Sequence, residues 1–200
     1  MLISYLVVMY YQLLLPTVTH CCDLAVRIVS DLPSTQYISE IVSKAHQRAN
    51  CIVRSFSSGD IHLLVRAFIV YVRPIVEYNS VIWSPVAKHD IELVGKVQHF
   101  TTRLRGLRNL SYCDRLTKLG LCTLELCRLH LDLLYCYKIV FGLVNVNFDD
   151  FFALSTNTNT RGHKYKLFKP RCTASIRQKF FVDRVIMSGT HYHLLQILHL

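Results

Sequence analysis

Residues 64–85 read LVRAFIVYVRPIVEYNSVIWSP, and the interpretation of this stretch decides the fold. It holds the only tryptophan, Trp83, and is apolar nearly throughout, broken by Arg66, Arg73 and Glu77. Just upstream, Asp60 is placed to cap a helix, its carboxylate accepting a backbone N–H that would otherwise lack a partner. Leu63, Leu64, Ala67, Phe68 and Tyr71 then share one helical face. Arg73-Pro74 interrupts that helix, because proline has no N–H and its ring clashes with the preceding turn. A second apolar segment, residues 75–83, is stopped by Ser84-Pro85. Such a segment is expected at the centre of a helical core, with neighbours on more than one side.

Working outward from it, residues 23–29 alternate Leu24, Val26 and Ile28 with polar or small neighbours, the pattern of a short strand. A helix is expected to start near Ser34. Ile38, Ile41, Val42, Ala45, Ala49, Ile52, Val53 and Phe56 form its continuous apolar stripe, with Glu40 and Lys44 paired on the outer face. The Ser-Ser-Gly at 57–59 ends it. On the other side, residues 88–104 read as one helix carrying Ile91, Val94, Val97 and Leu104, with Glu92 paired to Lys96 and Gly106 as terminator. Ser111 is placed to cap a short helix over 112–119 that Gly120 closes. Thr123 is placed to cap what reads as the longest helix. Its apolar side carries Leu126, Leu129, Leu133, Tyr137, Val140 and Val144, broadened by Leu131 and Leu134. Glu125, Arg128 and Asp132 form a second, ion-paired side. The elements together predict a mainly α chain with one or two short strands.

A 52% hydrophobic, 18% charged composition is too apolar for a disordered tail, and 200 residues suit one domain with a sizeable core. The net charge of +10, from 23 basic against 13 acidic residues, points to an anionic partner, nucleic acid or a membrane surface. None of the eight cysteines forms a Cys-x-x-Cys pair, and a chain this long needs no staples. That usage fits a reducing intracellular compartment, cytoplasm or nucleus. Cys122, Cys127, His130 and Cys136 lack zinc-knuckle spacing and read as ordinary thiols and a histidine on a helix. No metal site and no small-molecule substrate are implied. Residues 1–22 carry no charged side chain, yet the apolar run over 1–15 is shorter than the roughly 20 residues of a spanning helix. It also lacks the basic start of a signal peptide. Membrane attachment or secretion is therefore the alternative rather than the first expectation.

Three arginines, Arg103, Arg105 and Arg108, follow the predicted 88–104 helix. They complement its dipole or reach phosphate. After a polar loop over 155–160, residues 161–184 set eight basic residues, Lys164, Lys166 and Lys169 among them, against the single acid Asp183. Tyr165, Phe168, Phe180 and Phe181 interleave with them, and basic residues alternating with aromatics suit a phosphate backbone and stacked bases. Residues 163–169 read as a strand with Lys164 and Lys166 on one side.

The 64–85 stretch resembles the region after the polymerase palm in reverse transcriptases of LINE-type (non-LTR) retrotransposons, Jockey-like elements included. Further segments resemble that family in the same order: Asp23-Leu24-Ala25-Val26, Ile41-Val42-Ser43-Lys44-Ala45, Lys96-Val97-Gln98, Leu107-Arg108-Asn109-Leu110-Ser111-Tyr112 with Arg115-Leu116, the run over 119–128, Leu133 to Ile139, 148–152 and Arg161-Gly162-His163. Departures are Ala25 for a family glycine, His99 for a basic pair, Cys122 for proline and Cys127 for arginine. The resemblance implies a thumb-like helical bundle that holds template and primer, RNA or an RNA/DNA hybrid, over residues 23–152. A basic segment (153–186) and a divergent tail (187–200) follow, and an unrelated hydrophobic segment (1–22) precedes. It implies Arg103, Arg105, Arg108, Lys164, Lys166 and Lys169 as nucleic-acid contacts. It also implies a truncated polymerase: the Mg²⁺-holding aspartates of the family's palm are not among these residues, so no catalytic residue is assigned. Phe148-Asp149-Asp150 lies too far downstream to replace them. The runner-up reading is a non-enzymatic, membrane-tethered helical protein. A third is a chain not stably folded without the palm that covers its apolar faces.

Overall fold

The computed structural model describes residues 20–29, 35–56, 60–155, 166–169, 171 and 180–189. The apolar N-terminal run, Lys164, Tyr165 and the 57–59 terminator lie outside them. Among the described residues the chain is mainly α, with one two-stranded antiparallel sheet.

Two strands precede the first helix, where a single one was expected. β1 (His20–Asp23) and β2 (Val26–Val29) pair antiparallel, with Asp23 opposite Val26. Leu24 and Ala25 form the two-residue loop, at φ +44 and +63. A two-residue hairpin needs that left-handed geometry to match strand twist. Leu24 therefore points to solvent, 72% exposed, and Val26 carries the hairpin's burial at 1%.

α1 (Thr35–Ser55) buries the expected stripe, Ile38, Ile41, Val42, Ala45, Ala49 and Ile52. Glu40, expected to pair with Lys44, instead takes Arg27 of β2 at 2.9 Å, which ties the hairpin to the helix. Asp60 caps α2 (Ile61–Tyr71), accepting from the His62 N–H at 2.9 Å. Pro74 opens α3 (Arg73–Glu77), and Asn79, at φ +50, separates it from α4 (Ser80–Trp83). Trp83 is buried. Its Nε1 donates to the Tyr78 carbonyl at 2.7 Å and its ring meets Tyr37 edge-on. The rest of the stretch is less enclosed than its composition predicts. Leu64, Ala67, Phe68, Val72 and Val76 face inward, while Leu63, Ile69, Val70, Tyr71, Tyr78 and Ile82 are exposed. The breaks at Val72 and at Tyr78–Asn79 divide the stretch into three short helices: α2 and α3 pack on α1, α4 packs on the later helix Leu124–Val140, and their other sides stay open.

α5 (Lys88–Gly95) does not continue to Leu104 but passes into a 3₁₀ segment, Lys96–Arg103. The hydroxyls of Thr101 and Thr102 donate to the carbonyls of Gln98 and His99, three residues back, at 2.9 and 2.7 Å. Those bonds compete with the α ladder and favour the tighter winding. Glu92 sits 4.0 Å from Lys88 rather than with Lys96. Phe100 stacks on Phe68 at 4.1 Å, closing the first core between α1, α2 and the 3₁₀ segment.

Ser111 and Gly120 bound α6 (Tyr112–Leu119) as expected. Thr123 caps α7 (Leu124–Val140), whose 17 residues make it shorter than α1 at 21. Its orientation departs from the expected pattern. Arg128 and Asp132, read as part of a separate ion-paired side, are buried, while Leu126 and Leu134 of the expected apolar side are exposed. α8 (Phe181–Gly189) packs on α7 and brings Arg184 to Asp132 through two hydrogen bonds of 3.0 and 3.1 Å, while Arg128 lies on the side facing α5. Leu133, Cys136, Ile139, Phe152, Val185 and Ile186 form a second core there. α7 thus spans both cores, with Leu124 in the first.

Candidate nucleic-acid interface

The 3₁₀ segment decides what the surface offers. With three residues per turn, residues i and i+3 eclipse, so Val97, Gln98, Phe100 and Thr101 turn inward while Lys96 and His99 form an exposed ridge. Gln98 is fully buried and pins three pieces of chain. Its Nε2 donates to the Cys122 carbonyl at 2.7 Å, and its Oε1 accepts from the Tyr112 hydroxyl at 2.6 Å and the Leu124 N–H at 3.2 Å. A buried amide bonded through both its oxygen and its nitrogen fixes the relative placement of α6, α7 and the ridge.

At the end of the ridge the three arginines are exposed. Leu104 and Leu107, buried at 3% and 1%, anchor their turn in the first core. Arg103 Nη1 donates to Asn50 Oδ1 on α1. His46, Asn50 and Arg54 follow at i, i+4 and i+8 on that helix, so they form one line beside the arginines. Burial, then the charges of Arg103 and His99, hold the His46 imidazole below its ordinary value. The structure therefore brings His46 and His99 close to Arg103. His46 was missed in the sequence because it falls in no basic run, and His99 was noted only as standing in place of a family basic pair. The i, i+4, i+8 spacing on α1 was the available signal.

The C-terminal lysines are placed differently. Leu167 bridges Leu154 antiparallel and packs on the second core, so the expected 163–169 strand is a single bridge among the described residues. Lys166 and Lys169 flank it and are exposed. Lys164 lies outside the described residues. The six expected contacts thus divide between the two cores, arginines on the first and described lysines on the second. Arg184, part of the same basic run, is held by Asp132 and donates to the Val81 carbonyl at 3.2 Å.

On the far side of the Lys96–His99 ridge lies a cleft of about 410 Å³, walled by Ile91, Glu92 and Gly95 of α5, Tyr112 of α6 and the first turns of α7 through Arg128. Arg128 is 4% exposed and its Nη1 has no hydrogen-bond partner. Burial pulls its guanidinium below the ordinary value, against the pull of Glu125, Cys127, Asp132 and Glu77. The His99 and Tyr112 rings meet edge-on, 6.1 Å apart. Asp149 and Asp150 are exposed in a short 3₁₀ turn, Phe148–Asp150. Cys127 and Cys136 are buried on α7, and Cys122 is exposed before it. Among the described residues no group of three or more His, Cys, Asp or Glu is arranged to hold a metal ion. Among them, too, no helix is long and apolar enough to cross a membrane.

Comparison of the chain with protein-family models returns no match, and neither does comparison with curated proteins or with solved structures.

Proposed function

We propose that the chain is the template-primer-holding, thumb-like region of a LINE-type reverse transcriptase, and that it grips nucleic acid without doing polymerase chemistry. The ordered set of motifs resembling that family, from Asp23 to about Val185, carries the reading. The mainly helical architecture agrees with it. So do the exposed Arg103, Arg105 and Arg108, with His46 and His99 close to Arg103, since such cations neutralise phosphates and release counterions. Two metal ions clamped by aspartates perform the transfer in polymerases, and among the described residues the exposed Asp149 and Asp150 have no third carboxylate arranged with them.

Primer extension on an RNA template, with Mg²⁺ and all four deoxynucleotides, tests the assignment. The purified 200-residue chain is expected to retain labelled template-primer and incorporate nothing. Incorporation abolished by Asp149→Ala would contradict the proposal.

A further inference from the structure

We propose that His46, Asn50, His99 and Arg103 form a site for one phosphate group, and that His46 takes up a proton when the phosphate binds. The 3₁₀ segment packs on α1, and the bond from Arg103 Nη1 to Asn50 Oδ1 joins the two elements across 53 positions of sequence. That bond occupies the amide oxygen, so the group Asn50 has left to offer is its Nδ2 donor. It also uses one of the five N–H donors of the Arg103 guanidinium, whose remaining fork sits at an exposed position. His46 is half-buried one turn before Asn50, on the same face of α1. The side chains that meet here are therefore rich in donors, and an oxyanion accepts several donors at once.

The charges around His46 decide its response. On α1 the adjoining turns place Val42, Ser43, Ala49 and Asn50 beside it, none of which titrates. Burial, then Arg103, then His99 oppose its protonation. The carboxylates of the other helices on α1 are engaged elsewhere: Glu77 with Arg73, Asp90 with Thr35 and His89, Glu92 with Lys88. α2 contributes only the exposed His62 and Arg66. His99 also borders the cleft that has Glu92, Lys96, Glu125 and Arg128 in its wall, and its ring meets Tyr112. Its proton answers to both sides of the ridge, so the linked proton is assigned to His46. An anion beside Arg103 cancels the repulsion, and His46 then holds its proton more tightly in the complex than in the free chain. By linkage, the protonated chain binds phosphate more tightly. The gain is full below the free-state titration of His46, itself below the ordinary imidazole value, and is lost as pH rises through the bound-state one. The inference rests on the strand-holding reading for the source of the phosphate, a backbone phosphodiester, while the site itself stands on these four side chains.

Nuclear magnetic resonance on the isotope-labelled full chain follows the His46 imidazole from about pH 8 to about pH 5. The titration is run on the free chain, with an RNA/DNA hybrid, and with trimetaphosphate, an anion that does not itself titrate in this range. Either probe should move the His46 transition to higher pH. In parallel, fluorescence anisotropy measures the affinity for the hybrid at both ends of the range. The tightening on acidification should be about tenfold larger in the native chain than in His46→Gln, the lower end of what an opposite charge does to a neighbouring titration. His62→Gln, which removes an exposed histidine of α2, should keep the native ratio. A hybrid that binds with a salt-dependent affinity yet leaves the His46 transition in place overturns the site and leaves the strand-holding reading standing. So does a His46→Gln chain that tightens as much as the native one. If no hybrid binds but trimetaphosphate still moves the transition, the strand-holding reading fails and the phosphate site survives. A transition unmoved by both probes removes the site.

Discussion

Ala25 closes the β1–β2 hairpin at φ +63, where an L side chain crowds the backbone at a cost of about 1–2 kcal/mol. Glycine relieves that strain, so Ala25→Gly is expected to stabilise the fold by about 1 kcal/mol, less the entropy the freer chain loses. Urea denaturation checks it, and a destabilised variant would show that the turn is not under strain. The buried thiols make a second residue-scale prediction. Burial pushes Cys127 up to about 11 and Cys136 up to about 12, so both stay protonated at pH 8. A thiolate is the reactive form. Iodoacetamide followed by mass spectrometry should therefore mark the exposed Cys51, Cys113 and Cys122 in the native protein, and reach Cys127 and Cys136 only in urea. Native labelling of Cys136 would mean that α7 is not packed as described. The features most legible in the sequence lie at this scale. The caps at Asp60, Ser111 and Thr123 and the stop at Gly120 are settled by atoms within a few residues of each other, so local reading sufficed.

Elements were legible only where one partner face decides them. α1 packs a continuous stripe into one core, and its period of 3.6 residues showed that stripe directly. α7 meets two cores, and its buried side includes Arg128 and Asp132, which no apolar pattern reveals. Asp132 is covered by Arg184, 52 residues away, in a run whose composition points to phosphate, while Arg128 lies on the side facing α5. The 3₁₀ segment was equally hidden, because Thr101 and Thr102 redirect the winding through side-chain bonds rather than through hydrophobic spacing. The Arg184–Asp132 pair, with side chains 20% and 5% exposed, gives the prediction at this scale. Removing one partner leaves a buried charge uncompensated, which typically costs about 3–5 kcal/mol. Arg184→Met should destabilise the protein by about 3 kcal/mol in urea denaturation, and the second core around Val185 and Phe152 should lose its hydrogen-exchange protection first. A change below about 1 kcal/mol, the range of a solvated surface pair, would mean that α8 does not dock on α7.

At the scale of the whole molecule, the net charge of +10 is not spread evenly over function. Arg27, Arg73 and Arg184 are committed to Glu40, Glu77 and Asp132. Arg103, Arg105 and Arg108 at the end of the 3₁₀ ridge and Lys166 and Lys169 on the second core stay exposed. Composition announced an anionic partner, but which cations serve it depends on long-range packing that the sequence does not display. The apolar stretch of α2 to α4 belongs to the same scale: neighbours on more than one side were expected and α1 and α7 supply them, while the chain breaks at Val72 and Asn79 leave other apolar side chains exposed. The central claim is that this helical chain grips nucleic acid through Arg103, Arg105 and Arg108. Its most direct test is the affinity for a labelled RNA/DNA hybrid measured from about 50 to 200 mM salt, for the native chain and for Arg103→Gln/Arg105→Gln/Arg108→Gln. The account predicts an affinity that falls steeply and linearly on logarithmic axes, with the slope reduced by roughly one per arginine that meets a phosphate. No binding at about 50 mM salt, or an affinity indifferent to salt and to the triple substitution, would contradict it.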